Sequence, residues 1–220
     1  MINYKEIYTF FDPVSNNAYR GSIFDFPKSD ATISRGENHV NGIVKVMYSM
    51  GGAQPKDVIW TTNGHPLILS EKVVDLFIKN KFTGWDTYQV QVFDKKLIEV
   101  PIKYFGLIIN GRADYVDYSR SEIITKKIVY SDAPHVKGRY FYNDIWDGSD
   151  FFMENPDQDN KINMFRYCTD RVYQVLKKNK ITNITFENLI QTDIFYHSLS
   201  IGAGQNLKQV LDNLIKNASN

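Results

Sequence analysis

Between Asp144 and Asn160 the chain carries six acids, Asp144, Asp147, Asp150, Glu154, Asp157 and Asp159, and no lysine or arginine. Trp146, Phe151 and Phe152 are interleaved with them. Carboxylates at this density can do three things. Asp147 and Asp150 can serve as a general acid and base, the pair a hydrolase would use. Asp157 and Asp159 have the one–three spacing of a calcium loop, but Lys161 stands where the next ligand belongs, and neither the central Gly nor the terminal Glu is in place. An acidic loop with aromatic anchors can also dock on a basic protein, steered by charge and held by Trp146 and Phe151. The plain alternative is a solvated loop.

Other reactive side chains form no pattern. His39, His65, His135 and His197 include no pair at helical spacing for a metal. Ser149 lacks the GxSxG context of a nucleophile elbow. Gly51-Gly52 lacks the Lys-Ser/Thr of a phosphate loop. The single cysteine, Cys168, excludes an intrachain disulfide; it falls at a predicted helix start, where a thiol pKa can drop, but no His–Asn/Asp arrangement can be assigned to it. The expectation is therefore no catalytic residue, no metal and no cofactor, with a hydrolase-like enzyme on Asp147 and Asp150, with or without a metal, as the alternative. The candidate partner-binding set is Trp146, Asp147, Asp150, Phe151, Glu154, Asp157 and Asp159.

The elements that must position this segment are written twice. Leu69–Val90 and Cys168–Leu189 match in type at a spacing of 99 residues: Ser70-Glu71-Lys72-Val73 with Thr169-Asp170-Arg171-Val172, Lys79-Asn80-Lys81 with Lys178-Asn179-Lys180, and Thr83 with Thr182. Ser70 and Thr169 are N-cap types, each followed by an acid that suits the positive end of the helix dipole. Val73, Leu76 and Phe77 make a helical stripe, repeated as Val172, Val175 and Leu176. The period then changes to two, in Tyr88, Val90 and Val92 and again in Ile184 and Phe186. An apolar run precedes each helix, so both copies read as β-α-β. Asp57-Val58-Ile59-Trp60 and Asp144-Ile145-Trp146 lead into the two copies, with about 13 residues inserted in the second.

Further strands are predicted at Glu6–Phe11, Ser22–Phe26, Gly42–Ser49, Tyr104–Ile109 and Glu122–Tyr130. Asn110-Gly111 reads as a hairpin turn and His135–Gly138 as a turn. Leu207, Val210, Leu211, Leu214 and Ile215 share one face of a C-terminal amphipathic helix. The fold class is α+β: a mostly β-sheet core with two similar β-α-β units and that helix. Residues 1–220 read as one domain, with halves 1–110 and 111–220 as the natural subdivision.

Hydrophobic content of 43% and charged content of 23% are ordinary for a globular chain. A net charge of +1 argues against a general electrostatic grip on nucleic acid or an anionic membrane. The N-terminal residues lack a basic n-region and an apolar h-region, and no apolar run is long enough to span a bilayer, so a cytoplasmic location is expected.

Five segments taken together resemble a family of bacterial immunity proteins from polymorphic-toxin systems. They are Ser34-Arg35-Gly36-Glu37, Pro55-Lys56-Asp57-Val58-Ile59-Trp60, Leu69-Ser70-Glu71-Lys72-Val73-Val74, Phe82-Thr83-Gly84-Trp85 and Trp146-Asp147-Gly148-Ser149-Asp150-Phe151. The likeness runs over roughly residues 34–190, with Thr182-Asn183 in a similar place in the second unit. It implies a non-catalytic protein that binds and neutralises a cognate toxin domain, and it brings no catalytic residues; the near-neutral charge adds the expectation of no nucleic-acid or membrane partner.

Overall fold

Short apolar runs bounded by Gly, Pro and Asn become strands throughout the computed structural model of the chain. The structure describes residues 2–13, 15–23, 30–37, 39–61, 66–128, 131–156 and 164–195. In chain order these hold β1 (Ile7–Phe11), β2 (Arg20–Ile23), α1 (Asp30–Ser34), β3 (Val44–Met50), β4 (Val58–Thr61), β5 (Leu67–Ser70), α2 (Glu71–Lys79), β6 (Trp85–Phe93), β7 (Tyr104–Ile109) and β8 (Gly111–Ala113). There follow β9 (Glu122–Ile128), β10 (Ser131–Lys137), β11 (Phe151–Glu154), β12 (Arg166–Thr169), α3 (Asp170–Lys178), β13 (Thr185–Asn188) and β14 (Asp193–Phe195). This is a mainly β, α+β fold. The predicted C-terminal helix lies outside the described residues.

The strands form a closed six-stranded barrel, β2-β3-β6-β7-β5-β4, an open sheet, β13-β1-β12-β11-β8, and a small sheet, β14-β10-β9. The barrel without β3 runs β6-β7-β5-β4-β2, and the open sheet has the same sequence of senses. β7 lies antiparallel between β5 and β6, as β1 does between β12 and β13. β4 is antiparallel to β5 and parallel to β2, as β11 is to β12 and to β8. The strand that plays the part of β7 in the open sheet comes from the N-terminus, so this sheet crosses the boundary between residues 110 and 111.

Helices α2 and α3 bury their stripes in one core. Val73, Val74 and Phe77 meet Val172 and Leu176 there, together with Phe10 and Phe151. A second core gathers Tyr118, Phe141, Phe152 and Tyr167 with Tyr4 and Ile7 from the N-terminus. After each helix the turn repeats atom for atom. Asn80 and Asn179 each donate Nδ2 to the carbonyl four residues back, at 2.8 Å. Lys81 and Lys180 are both left-handed, and so are Gly84 and Asn183.

Several local expectations change. Neither Ser70 nor Thr169 caps its helix through its side chain. Thr169 donates its hydroxyl to Asp150 instead. Asn110-Gly111 closes no hairpin: the chain leaves the barrel there and enters the open sheet as β8. Gly111 is needed because a Cβ would meet the Phe151 carbonyl oxygen at 2.2 Å. His135 lies in β10, since pairing to β9 and β14 on both sides overrides the local turn signal. Among the described residues, no helix is long and apolar enough to cross a membrane.

Candidate functional site

The acidic segment begins on a strained corner. Asn143 and Asp144 are consecutive left-handed residues, with φ of 52° and 55°. Such residues each cost about 1 kcal/mol or more unless their surroundings fix them. The surroundings do so here. Asp144 Oδ1 accepts from the Tyr4 hydroxyl and from Arg120 Nη1, both at 2.6 Å. The Tyr4 hydroxyl in turn accepts from the Phe141 amide at 2.9 Å. Arg120 also sits 4.6 Å from the centre of the Tyr140 ring. The hydrogen bonds from Tyr4 and Arg120 hold the Asp144 carboxyl below the usual aspartate range.

The corner turns two large side chains outward and leaves a third at the surface's edge. Tyr142 and Ile145 are exposed, the latter at 53%. Tyr142 stacks on Tyr115 at 4.8 Å. Trp146 is half-buried against Phe152 at 5.2 Å, and its buried Nε1 has no hydrogen-bond partner among the described residues. Asp147 is exposed and shapes the turn, accepting from the Arg112 amide at 2.7 Å and the Ser149 amide at 2.9 Å.

From Asp150 onward the segment goes inside. Phe151 is a core residue 4.5 Å from the Phe77 ring, and Phe152 and Met153 are fully buried. Glu154 is 1% exposed; it accepts from the Tyr167 hydroxyl and the Val116 amide. Burial, reinforced by the neighbouring Glu154 charge, pushes the Tyr167 phenol well above its ordinary value. Asp157 and Asp159 lie outside the described residues. The structure thus gathers Tyr142, Ile145, Trp146 and Asp147 at the surface, and takes Asp150, Phe151 and Glu154 away from it.

Asp150 has an internal task. Its Oδ2 accepts from the Thr83 amide at 2.9 Å and the Thr83 hydroxyl at 3.2 Å. Its Oδ1 accepts from the Thr169 hydroxyl at 3.0 Å and lies 3.6 Å from Arg171 Nε. The Asp150 amide donates back to Thr83 Oγ1 at 3.1 Å. Oδ2 thus accepts two hydrogen bonds and Oδ1 one, with the Arg171 charge beside it, so the carboxylate ties Thr83 to Thr169.

Asp57 repeats this arrangement in the other half. It accepts from the Thr182 amide and hydroxyl, both at 2.9 Å, and from Lys72 at 3.2 Å, and its amide donates to Thr182 Oγ1 at 3.1 Å. The counterpart of Asp57-Val58 is therefore Asp150-Phe151, not Asp144-Ile145. The extra residues of the second copy lie between β11 and β12. Each half's aspartate grips the threonine that follows the other half's helix. The sequence spacing of Thr83 with Thr182, and of Lys72 with Arg171, was the signal for this; the carboxylate partners were not readable without the three-dimensional pairing.

Beside the corner lies a cleft of about 750 Å³. Ile2, Trp146 and Ile7 give it apolar wall, and Glu6, Asp144, Asp150 and Asp170 outnumber Arg171 among its charges. Cys168 is fully buried, and burial together with Asp150 and Asp170 pushes its thiol well above the ordinary value, which leaves it inert as a nucleophile. His39 is exposed, His135 holds Asp193 at 2.8 Å through Nδ1, and His65 and His197 lie outside the described residues. Among the described residues no three His, Cys, Asp or Glu side chains come together as a metal site.

A scan against protein-family models finds no match, and a search of curated proteins finds no significant similarity.

Proposed function

We propose that the chain is an immunity-type protein that binds a cognate toxin domain and blocks it by occlusion, without catalysis. The observation that carries this reading is the strained corner: left-handed Asn143 and Asp144 hold Tyr142, Ile145 and Trp146 beside an acidic cleft. Such a corner presents apolar anchors in a negative field, the combination that selects a basic protein surface. The resemblance of the five sequence segments to immunity proteins supplies the kind of partner. On this reading the contact residues are Tyr142, Ile145, Trp146 and Asp147, with the cleft acids as a steering rim. Asp150, Phe151 and Glu154 hold the loop from behind. The two β-α-β units are copies of one building block, and their cross-bonding provides the rigid scaffold.

The test is co-expression with the toxin domain encoded beside it, followed by purification of the pair. Rescue of growth with a stoichiometric complex is expected. The combined variant Ile145→Asp, Trp146→Ala, Asp147→Asn leaves the Asp150 clamp intact and should weaken the complex by roughly 3 kcal/mol or more, the scale of a lost hot spot. Unchanged affinity in that variant would remove the corner from the interface. Rescue without any complex would point to an enzyme acting on the toxic product.

A further inference from the structure

The connection from β6 to β7, residues 94–103, projects from the barrel and carries apolar side chains that nothing in the fold uses. Leu97 and Ile98 form its tip and are 67% and 60% exposed; Ile102 is exposed on the returning arm. Lys95, Lys96 and Lys103 flank them, also exposed. Leu97 is left-handed, with φ of 62°, a conformation in which glycine or asparagine is far better accommodated. Both exposure and backbone geometry therefore disfavour a leucine at this point in the free protein.

The tip is internally bonded. Asp94 Oδ1 accepts from the amides of Lys96 and Ile98 at 2.8 and 2.9 Å. The Asp94 amide donates to the Ile98 carbonyl at 2.9 Å, and the Leu97 amide to the Asp94 carbonyl at 3.0 Å. Pro101 has no amide hydrogen to satisfy. The amides of Lys96, Leu97 and Ile98 are therefore already paired within the turn, which lowers the cost of bringing the tip to an apolar boundary. Glu99, the other acid of the connection, accepts from Gln91 Nε2 on the stem.

We infer that this hairpin docks on an anionic lipid surface, with Leu97 and Ile98 entering the acyl boundary and Lys95 and Lys96 meeting the headgroup phosphates. The tip is exposed and aliphatic with lysines beside it, which fits a lipid interface with no fixed shape. A net charge of +1 removes any grip by the whole surface, so the contact is local and reversible. It lies on the barrel, is built from residues other than those of the acidic corner, and stands independently of the toxin reading.

Co-sedimentation of the full chain with phosphatidylcholine vesicles, with and without phosphatidylglycerol, tests it. Binding only to the anionic vesicles is expected, weakening as salt is raised. Leu97→Asp with Ile98→Asp should reduce it by about tenfold or more, and Lys95→Glu with Lys96→Glu by a similar factor. Aspartate tolerates the left-handed site, so the first variant should keep the wild-type thermal midpoint, which separates lost docking from lost folding. An Ile98→Trp variant should show a blue-shifted emission on the anionic vesicles. Wild-type protein that stays in the supernatant, equal binding to neutral vesicles, or undiminished binding of the aspartate variant would each overturn the proposal.

Discussion

At the scale of single residues, the two aspartate–threonine clamps decide more than the acids at the surface. Hydrogen bonds to a charged group contribute about 1.5–3 kcal/mol each when shielded, and less when water competes. The Asp150 side chain is 8% exposed and that of Asp57 15%. A double-mutant cycle of Asp150→Asn with Thr83→Ala should therefore give a coupling of about 1–2 kcal/mol by urea denaturation, and the cycle of Asp57→Asn with Thr182→Ala a smaller one. Zero coupling in the first would mean that Thr83 is positioned by the chain and not by the carboxylate. Asp144 makes a pH prediction. Its folded-state pKa is lowered, first by the Tyr4 hydrogen bond and then by that of Arg120. The stability it contributes is thus fully present above the ordinary aspartate range of about 4, and is lost as pH falls through the lowered folded value. The stability gap between wild type and Asp144→Asn should be constant at neutral pH and close in acid. A gap that widens in acid would reverse the sign of the linkage.

At the scale of elements, the open sheet depends on a strand that enters from the far end of the chain. β1 is the only element bonded to both β12 and β13 among the described residues. Removing residues 1–13 would strip one partner from β12 and the sole ladder partner of β13. It would also take away the Tyr4 hydroxyl that fixes the Asp144 corner. Loss of cooperative folding is expected by circular dichroism, with recovery when a peptide covering 2–13 is added in excess. A truncated chain that keeps its thermal transition would show that β1 is dispensable. These elements differed in how far they could be read locally. Periodicity places helices α2 and α3 well, because stripes such as Val73, Leu76 and Phe77 depend on neighbours in sequence, whereas the side-chain caps expected of Ser70 and Thr169 do not form. Asn110-Gly111 misleads because the glycine there answers a close approach by the Phe151 carbonyl, a contact 40 residues away in sequence. The acidic segment is visible as composition, but its division at Asp150 into surface and core is not. What divides it is β11 pairing with β12 and β8, and no local pattern encodes that.

At the scale of the whole molecule, the two halves are tied in three separate ways. Helices α2 and α3 share the core around Phe77, Phe151 and Leu176. The clamps bind Asp57 of one half to Thr182 of the other, and Asp150 to Thr83. β1 carries the N-terminus into the second half's sheet. Halves coupled this tightly should not melt separately, since opening either one exposes the shared core and strands both aspartates. Calorimetry should give a single transition with equal van't Hoff and calorimetric enthalpies, on the order of 150 kcal/mol near 60 °C for a chain of 220 residues. Phe151→Ala provides the sharper test, because its ring, carried on β11 of the second half, packs on Phe10, Phe77 and Phe82 of the first. It should lower stability by about 3–5 kcal/mol and move the whole transition as one. If it instead split the curve into two steps, each with roughly half the enthalpy, the shared core would be a contact between two independently folding units and the clamps a later addition to them.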